Sequence, residues 1–264
     1  MQFTDQLHRT ITLDTPPKRI ISLVPSQSEL LWDLGLREEL AGITKFCIHP
    51  ELMFRHVARV GGTKTLDFDK IRAIGPDLII GNKEENEQAQ IEKLMEEFTV
   101  WMSDITTYAQ ALDMIGKVGK LTNRSNKAKS LVHEISSAFQ YLPHLPEPAG
   151  RVLYLIWRDP YMAAGNETFI NNMITRMGLS NVFNDSENRY PEVTEATIKA
   201  LDPDFVFLSS EPYPFKDKHI SELQSLLPRA KIMLVDGELF SWYGSRLRKT
   251  PAYLHKLQMT LQGT

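Results

Sequence analysis

Two stretches of this chain, DFDKIRAIGPDLIIGN (Asp67 to Asn82) and TEATIKALDPDFVFLSS (Thr194 to Ser210), share one grammar. Each opens on polar residues and runs into a short helix with apolar Ile71 and Ile74, or Ile198 and Leu201. A Pro-Asp pair follows, then an apolar run, Leu78 to Ile80 or Phe205 to Leu208. Pro76 and Pro203 are 127 residues apart (203 − 76). Proline stops a helix and presets the turn into the next element. A short run of Leu, Ile, Val and Phe suits a strand buried on both faces of a parallel sheet. One such unit is common in α/β proteins; two in matching places predict two α/β lobes.

Other segments fit that plan. RIISLVP (Arg19 to Pro25) reads as a buried strand, and RVLYLIW (Arg151 to Trp157) as its counterpart in the second half. After the first strand, Ser26 and Glu29 have capping-box spacing, Leu30, Leu31 and Leu34 form an apolar stripe, and Gly35 supplies a stop. In ETFINNMITRMG, residues Phe169, Ile170, Met173, Ile174 and Met177 share one helical face, with Gly178 at its end. The two methionines read as core filler. Between the halves, Ala128, Leu131, Val132, Ile135, Phe139 and Leu142 keep helical spacing through Asn123 to Leu142. Such a helix of about 20 residues extends about 30 Å. LPHLPEPAG (Leu142 to Gly150) then ends it. The expected fold is therefore α/β, with two lobes joined by one long backbone helix and a cleft between them. Its boundaries are 1–104 for the first lobe, 105–145 for the connecting helices and 146–264 for the second lobe.

Composition excludes several classes. Net charge is −3, so no global positive field draws nucleic acid. No stretch reaches the roughly 20 apolar residues a membrane helix needs. Cys47 is the only cysteine, which rules out an intrachain disulfide and reads as a packed residue rather than a nucleophile. MQFTDQLHRTITL carries no apolar leader core and no small-residue cleavage site. That leaves two compartments open: cytoplasmic for a sequence complete as it stands, periplasmic if a leader was removed.

With PKRIISLVPSQSELLWDLGL, VGGTKTLDFDKIRAIGPDLII, YPEVTEATIKALDPDFVFL and FSWYGSR in order along nearly the whole chain, the sequence resembles the substrate-binding proteins of ABC importers that have a helical interlobe backbone. Within them it most resembles the receptors for cobalamin and ferric siderophores. The resemblance implies Rossmann-like lobes with the ligand in the cleft between them, and a binding protein rather than an enzyme, handling a corrinoid or ferric siderophore for ABC-type import. It also implies a small-molecule ligand, a monomer, an ABC permease as partner, and no resident cofactor, the metal arriving inside the ligand. Aromatic residues on loops of both lobes line the cleft in such receptors; the matching loops hold Phe46, Trp157, Tyr190, Trp242 and Tyr243. Flat rings cover a rigid ligand at low entropic cost. Arg246 falls where the family faces an arginine to the ligand, with Lys83 and Arg158 as neighbouring donors.

The chain departs from that pattern at four positions. Thr63 and Asn82 stand where the cobalamin receptors carry tryptophans, which implies a more polar pocket. For permease docking, Asp69 replaces a glutamate on the first lobe. On the second, Ala196 takes the equivalent position with Glu195 beside it. Neighbouring helical residues point about 100° apart, which weakens docking through Glu195.

Catalytic and metal chemistry find little footing. No dinucleotide fingerprint or nucleophile elbow occurs. GKVGKLT (Gly116 to Thr122) is mis-spaced for a phosphate loop and reads as lying between helices. His49 and His56 lack carboxylate partners at ligand spacing, so no metal site is assigned. KEENEQ (Lys83 to Gln88) reads as a solvated helix start. Two alternatives remain: a leaderless cytoplasmic binding protein for a related metal-bearing cofactor, uncoupled from any permease, and an enzyme using Lys83, Arg158 or Arg246 on a phosphorylated substrate.

Overall fold

The computed structural model describes residues 1–143 and 149–263, and the chain divides into two compact units. The first comprises Met1–Ile105, Ala109–Ser136 and Trp242–Arg248; the second comprises Thr106–Tyr108, Ser137–Ser241 and the stretch from Lys249 onward. Residues 242–248 therefore pack with the first unit, although the sequence places them within a second lobe spanning 146–264. The expected 145/146 boundary, and most of LPHLPEPAG, lie outside the described residues.

In the first unit a hairpin, β1 (Gln2–Thr4) with β2 (Thr10–Thr12), accompanies a five-stranded parallel sheet. Its strands are β3 (Ile20–Ser22), β4 (Leu40–Ile43), β5 (Ala58–Arg59), β6 (Leu78–Asn82) and β7 (Val100–Ser103), in the order β5-β4-β3-β6-β7. The helices are α1 (Pro25–Asp33), α2 (Glu51–His56), α3 (Phe68–Ile74) and α4 (Gln88–Met95). Strand order reverses between β3 and β6, the place where doubly wound sheets leave a crevice at their strand C-termini.

Two helices follow, α5 (Tyr108–Leu121) and α6 (Ser125–Gln140). The expected long helix is present as α6, which passes from the first unit to the second at Ser136. GKVGKLT does not lie between helices: all but Thr122 belong to α5, whose unbroken backbone leaves no loop to cradle a phosphate.

In the second unit the strands are β8 (Arg151–Trp157), β9 (Tyr161–Ala163), β10 (Ser180–Asn181), β11 (Glu192–Val193), β12 (Phe205–Ser209) and β13 (Lys231–Val235). They form one sheet in the order β11-β9-β8-β12-β13, with β10 beside β8. β8, β12 and β13 are mutually parallel, and β9 runs antiparallel to both its neighbours. The helices are α7 (Phe169–Arg176), α8 (Glu195–Leu201), α9 (Asp217–Leu226), α10 (Gly237–Ser241) and α11 (Thr250–Gln262).

The repeat holds at full register. α3 and β6 map onto α8 and β12 with the same 127-residue offset (195 − 68 and 205 − 78). Each helix opens on a capping side chain, Asp67 or Thr194, and closes on a left-handed residue, Gly75 or Asp202. Ile71 and Ile198 are fully buried, as are the centres of both strands. The aspartate after each proline has a definite task. Asp77 accepts backbone N–H bonds from Lys18 (2.8 Å) and Arg19 (2.9 Å), just ahead of β3, and its own N–H donates to the Arg19 carbonyl (3.0 Å). Asp204 repeats the arrangement on Arg151, accepting at 2.7 Å and donating at 3.0 Å. Each carboxylate thus ties the start of a neighbouring strand in its sheet, β3 or β8, to the strand that follows it, β6 or β12.

Two local expectations are corrected. Ser26 does not cap α1: the helix starts at Pro25, Val24 is its N-cap, and no side chain caps it. A proline at the first helical position lacks the N–H that a cap would otherwise satisfy. KEENEQ is no helix start through Glu87; Asn82 Oδ1 accepts from the N–H groups of Glu84 and Glu85 and folds the segment into a turn before α4. Gly35 and Gly178 do end their helices, both at positive φ, and Met173 and Met177 are wholly buried in the core.

Removing the Asp77 carboxylate (Asp77→Ala) is expected to cost about 2 kcal/mol, the scale of charge-assisted backbone bonds. Asp204→Ala should cost a similar amount, and the two should add because they serve separate units. Urea unfolding checks this; an unchanged midpoint in Asp77→Ala would dismiss the clamp.

Candidate functional site

Around the β3/β6 reversal of the first unit, the segment that packs over α1 is Trp242–Arg248, including a 3₁₀ turn at Ser245–Arg248. Gly244 permits the approach, since a Cβ there would lie 2.3 Å from the Ser26 carbonyl oxygen. Two arginines then fasten the turn to one face of α1. Arg246 makes a bidentate pair with Glu29, Nε and one terminal nitrogen each 2.9 Å from a carboxylate oxygen, and Arg248 reaches Asp33 at 2.7 Å. Arg246 and Glu29 are both buried. The Arg246 guanidinium also lies 4.5 Å from the Trp242 ring centre, and the His49 ring meets that indole edge-on at 5.8 Å. Glu29, read from sequence as half of a cap, is therefore the anchor of this segment.

Trp242, Tyr243 and Arg246 are thus all buried. The reading of Arg246 as a ligand-facing donor meets a carboxylate that already holds its fork. Burial pushes the Tyr243 phenol well above its ordinary ionisation range, and the charges of Glu85 and Glu84 add to that. It stays protonated at any physiological pH.

Other first-unit candidates sit on loops at the strand C-termini. Phe46, after β4, is 51% exposed, with the Lys45 ammonium 5.1 Å from its ring centre. Lys83, after β6, pairs with Asp104, after β7, at 2.9 Å. Asn82 is buried, donating to Ser103 and ordering the following turn, so its polarity belongs to the loop's architecture. Cys47 is buried between Ser28 and Thr44, and burial pushes its thiol's pKa up, as befits a packed residue. Asp69 lies in the first turn of α3 with its side chain 96% exposed.

In the second unit β8 ends on Trp157, and Arg158 follows it. Trp157 is 39% exposed and meets Tyr213 edge-on at 5.7 Å. Tyr213 in turn packs on Phe215 and His219, at 4.8 and 5.6 Å. Arg158 pairs with Glu222 at 2.8 Å and lines a depression of about 310 Å³ with Tyr161, Glu195 and the Glu222–Leu226 end of α9. Tyr190 is half-buried, its loop shaped by Asn188 Oδ1 accepting from the Tyr190 N–H. Glu195 is exposed in the first turn of α8, and exposed Ala196 takes the place that corresponds to Asp69 at the repeat offset. Among the described residues no group of three or more His, Cys, Asp or Glu could hold a metal ion, and no helix is long and apolar enough to cross a membrane.

Residues 20–226 match the periplasmic binding protein family. The chain belongs to that family. It is 25% identical over 197 residues to the vitamin B12-binding protein of Vibrio cholerae, covering 74% of this chain and 71% of the relative. Among solved structures, a periplasmic heme-binding protein holding two hemes superposes with a TM-score of 0.81 at 20% identity, covering 94% of this chain and 99% of that one. A protein of an ABC-type Fe3+-hydroxamate transport system from Saccharomonospora viridis gives 0.74 at 19% identity, covering 100% and 99%. The predicted family and α/β fold class are thereby established, and the relatives in view are binding proteins, not enzymes.

Two predictions arise here. Arg246→Ala strands a buried carboxylate and is expected to cost about 3–5 kcal/mol, while replacing Glu29 and Arg246 together by methionine should cost far less. Denaturation followed by tryptophan fluorescence tests it; equal losses would deny the pair its coupling. His219 is buried, and burial, then Arg158, hold its imidazole below the usual 6.5, with Lys218 lowering it further and Glu222 opposing. Its Nδ1 accepts the Lys216 N–H at the start of α9, which requires the neutral ring. Its stabilisation is therefore complete above pH 6.5 and is lost as pH falls from there through the folded-state value. Thermal unfolding of His219→Gln should show that acid slope flattened.

Proposed function

We propose that this chain is the substrate-binding protein of an ABC-type importer, capturing a corrinoid or ferric siderophore and handing it on without covalent chemistry. The observation that carries the reading is a pair of exposed rings at the C-terminal ends of parallel strands, Phe46 on the loop after β4 and Trp157 as the last residue of β8, each in its own unit. Solvated rings at strand ends suit a flat, rigid guest, since they lose little rotamer freedom on binding. The vitamin B12, heme and ferric-hydroxamate ligands named for the relatives share that bulk.

In this reading Tyr190, Trp242 and Tyr243 support the rings, and no resident cofactor is required because the metal comes within the ligand. The protein acts as a monomer and has no enzymatic step. It docks to the permease through Asp69, the more exposed and better placed of the two acids, with Glu195 contributing less because Ala196 holds the repeat-equivalent site.

Titration of tryptophan fluorescence with cyanocobalamin and with ferrichrome tests the assignment. At least one should bind with a Kd of about 1 µM or tighter. Phe46→Ala combined with Trp157→Ala should weaken binding about tenfold or more with the unfolding midpoint unchanged. Absence of binding to both ligands would overturn the proposal.

A further inference from the structure

We infer that the ligand is electrically neutral or cationic, a metal complex presenting amide or hydroxamate oxygens rather than carboxylates, phosphates or catecholates. This rests on the receptor reading above and narrows its substrate class. In the receptor reading three cations are the candidate partners of an anionic guest: Lys83 after β6, Arg158 after β8, and Arg246 over the start of α1. Each already holds a carboxylate from its own unit. Lys83 has Asp104 at 2.9 Å, Arg158 has Glu222 at 2.8 Å, and Arg246 has Glu29 through two bonds of 2.9 Å.

A site built for an anion keeps its cations available, because only then does the arriving charge gain a partner. Here an incoming carboxylate would either meet pairs of zero net charge or displace an acid already in place. At Arg246 displacement would leave Glu29 buried and uncompensated, which is strongly unfavourable. Further negative charge follows β6 in half-buried Glu84 and Glu85, both of which push the pKa of the Tyr243 phenol up. Lys45 rests on the Phe46 ring. Neutral amide and hydroxamate oxygens avoid this conflict: they accept hydrogen bonds without bringing net charge to the acids.

The test compares three complexes whose metal coordination is already filled: neutral cyanocobalamin, cationic ferrioxamine B and anionic ferric enterobactin. Fluorescence titration at low and high salt should give the tightest binding to one of the first two, at least about tenfold ahead of ferric enterobactin, with the gap shrinking as salt rises. Asp104→Asn releases Lys83 and should improve ferric enterobactin binding about threefold or more, with thermal unfolding confirming the fold. Tightest binding to ferric enterobactin, or no gain in that variant, overturns the charge inference and leaves the receptor reading standing. Binding of none of the three removes the receptor reading itself, and this inference with it.

Discussion

The architecture depends on a carboxylate that follows a helix-ending proline. Asp77 and Asp204 do the same work in their respective units, joining the beginning of one central strand to the beginning of the next. A parallel sheet has no hairpin to set its register, because neighbouring strands are joined by long crossovers. A side chain that binds backbone groups at a strand's entrance supplies that missing alignment. Once the entrances are level, the exits are too, and within each unit the tied strands end along one edge of their own sheet. Lys83, just after β6, and Trp157, at the end of β8, owe their positions to this alignment.

A second constraint acts on the chain's late return. Trp242–Arg248 joins the first unit through two arginine–carboxylate pairs and a close backbone approach at Gly244. The pairs fall on Glu29 and Asp33, four residues apart and therefore on one face of α1. The expense of burying two charges is moderated by bidentate geometry, and the result is specificity of placement more than stability. Trp242 inherits an orientation from this fastening, with a guanidinium and an imidazole both against its ring.

Much of the fold was legible because its signals are periodic and local. The apolar runs, the stopping prolines, the terminal glycines and the long amphipathic helix follow from rules that act over a few residues. The equivalence of Ala196 and Asp69, implied by the family resemblance, coincides with the 127-residue offset of α3 and α8. Legibility failed where partners lie far apart in sequence. Nothing in SQSE distinguishes a cap from an anchor, since Glu29 meets Arg246 from 217 positions away. For the same reason the Trp-Tyr segment was assigned to the half in which it is written rather than the unit in which it packs. The pairing of Lys83, Arg158 and Arg246 was equally hidden, although acids abound near each in the chain. Asn82, read as pocket polarity, proved to be a turn former, a role foreshadowed by the habit of asparagine side chains to bind amides two residues on.

The wandering of the backbone between units has a bearing on how this molecule can be dissected. Neither unit is a continuous span, for the first borrows seven residues, Trp242–Arg248, whose flanks on either side belong to the second. A stop codon placed after α6 would leave Glu29 and Asp33 without their guanidinium partners and strip the cover from α1. The N-terminal portion is therefore no autonomous module, because the cover of its helix α1 is written 217 positions after the glutamate that anchors it.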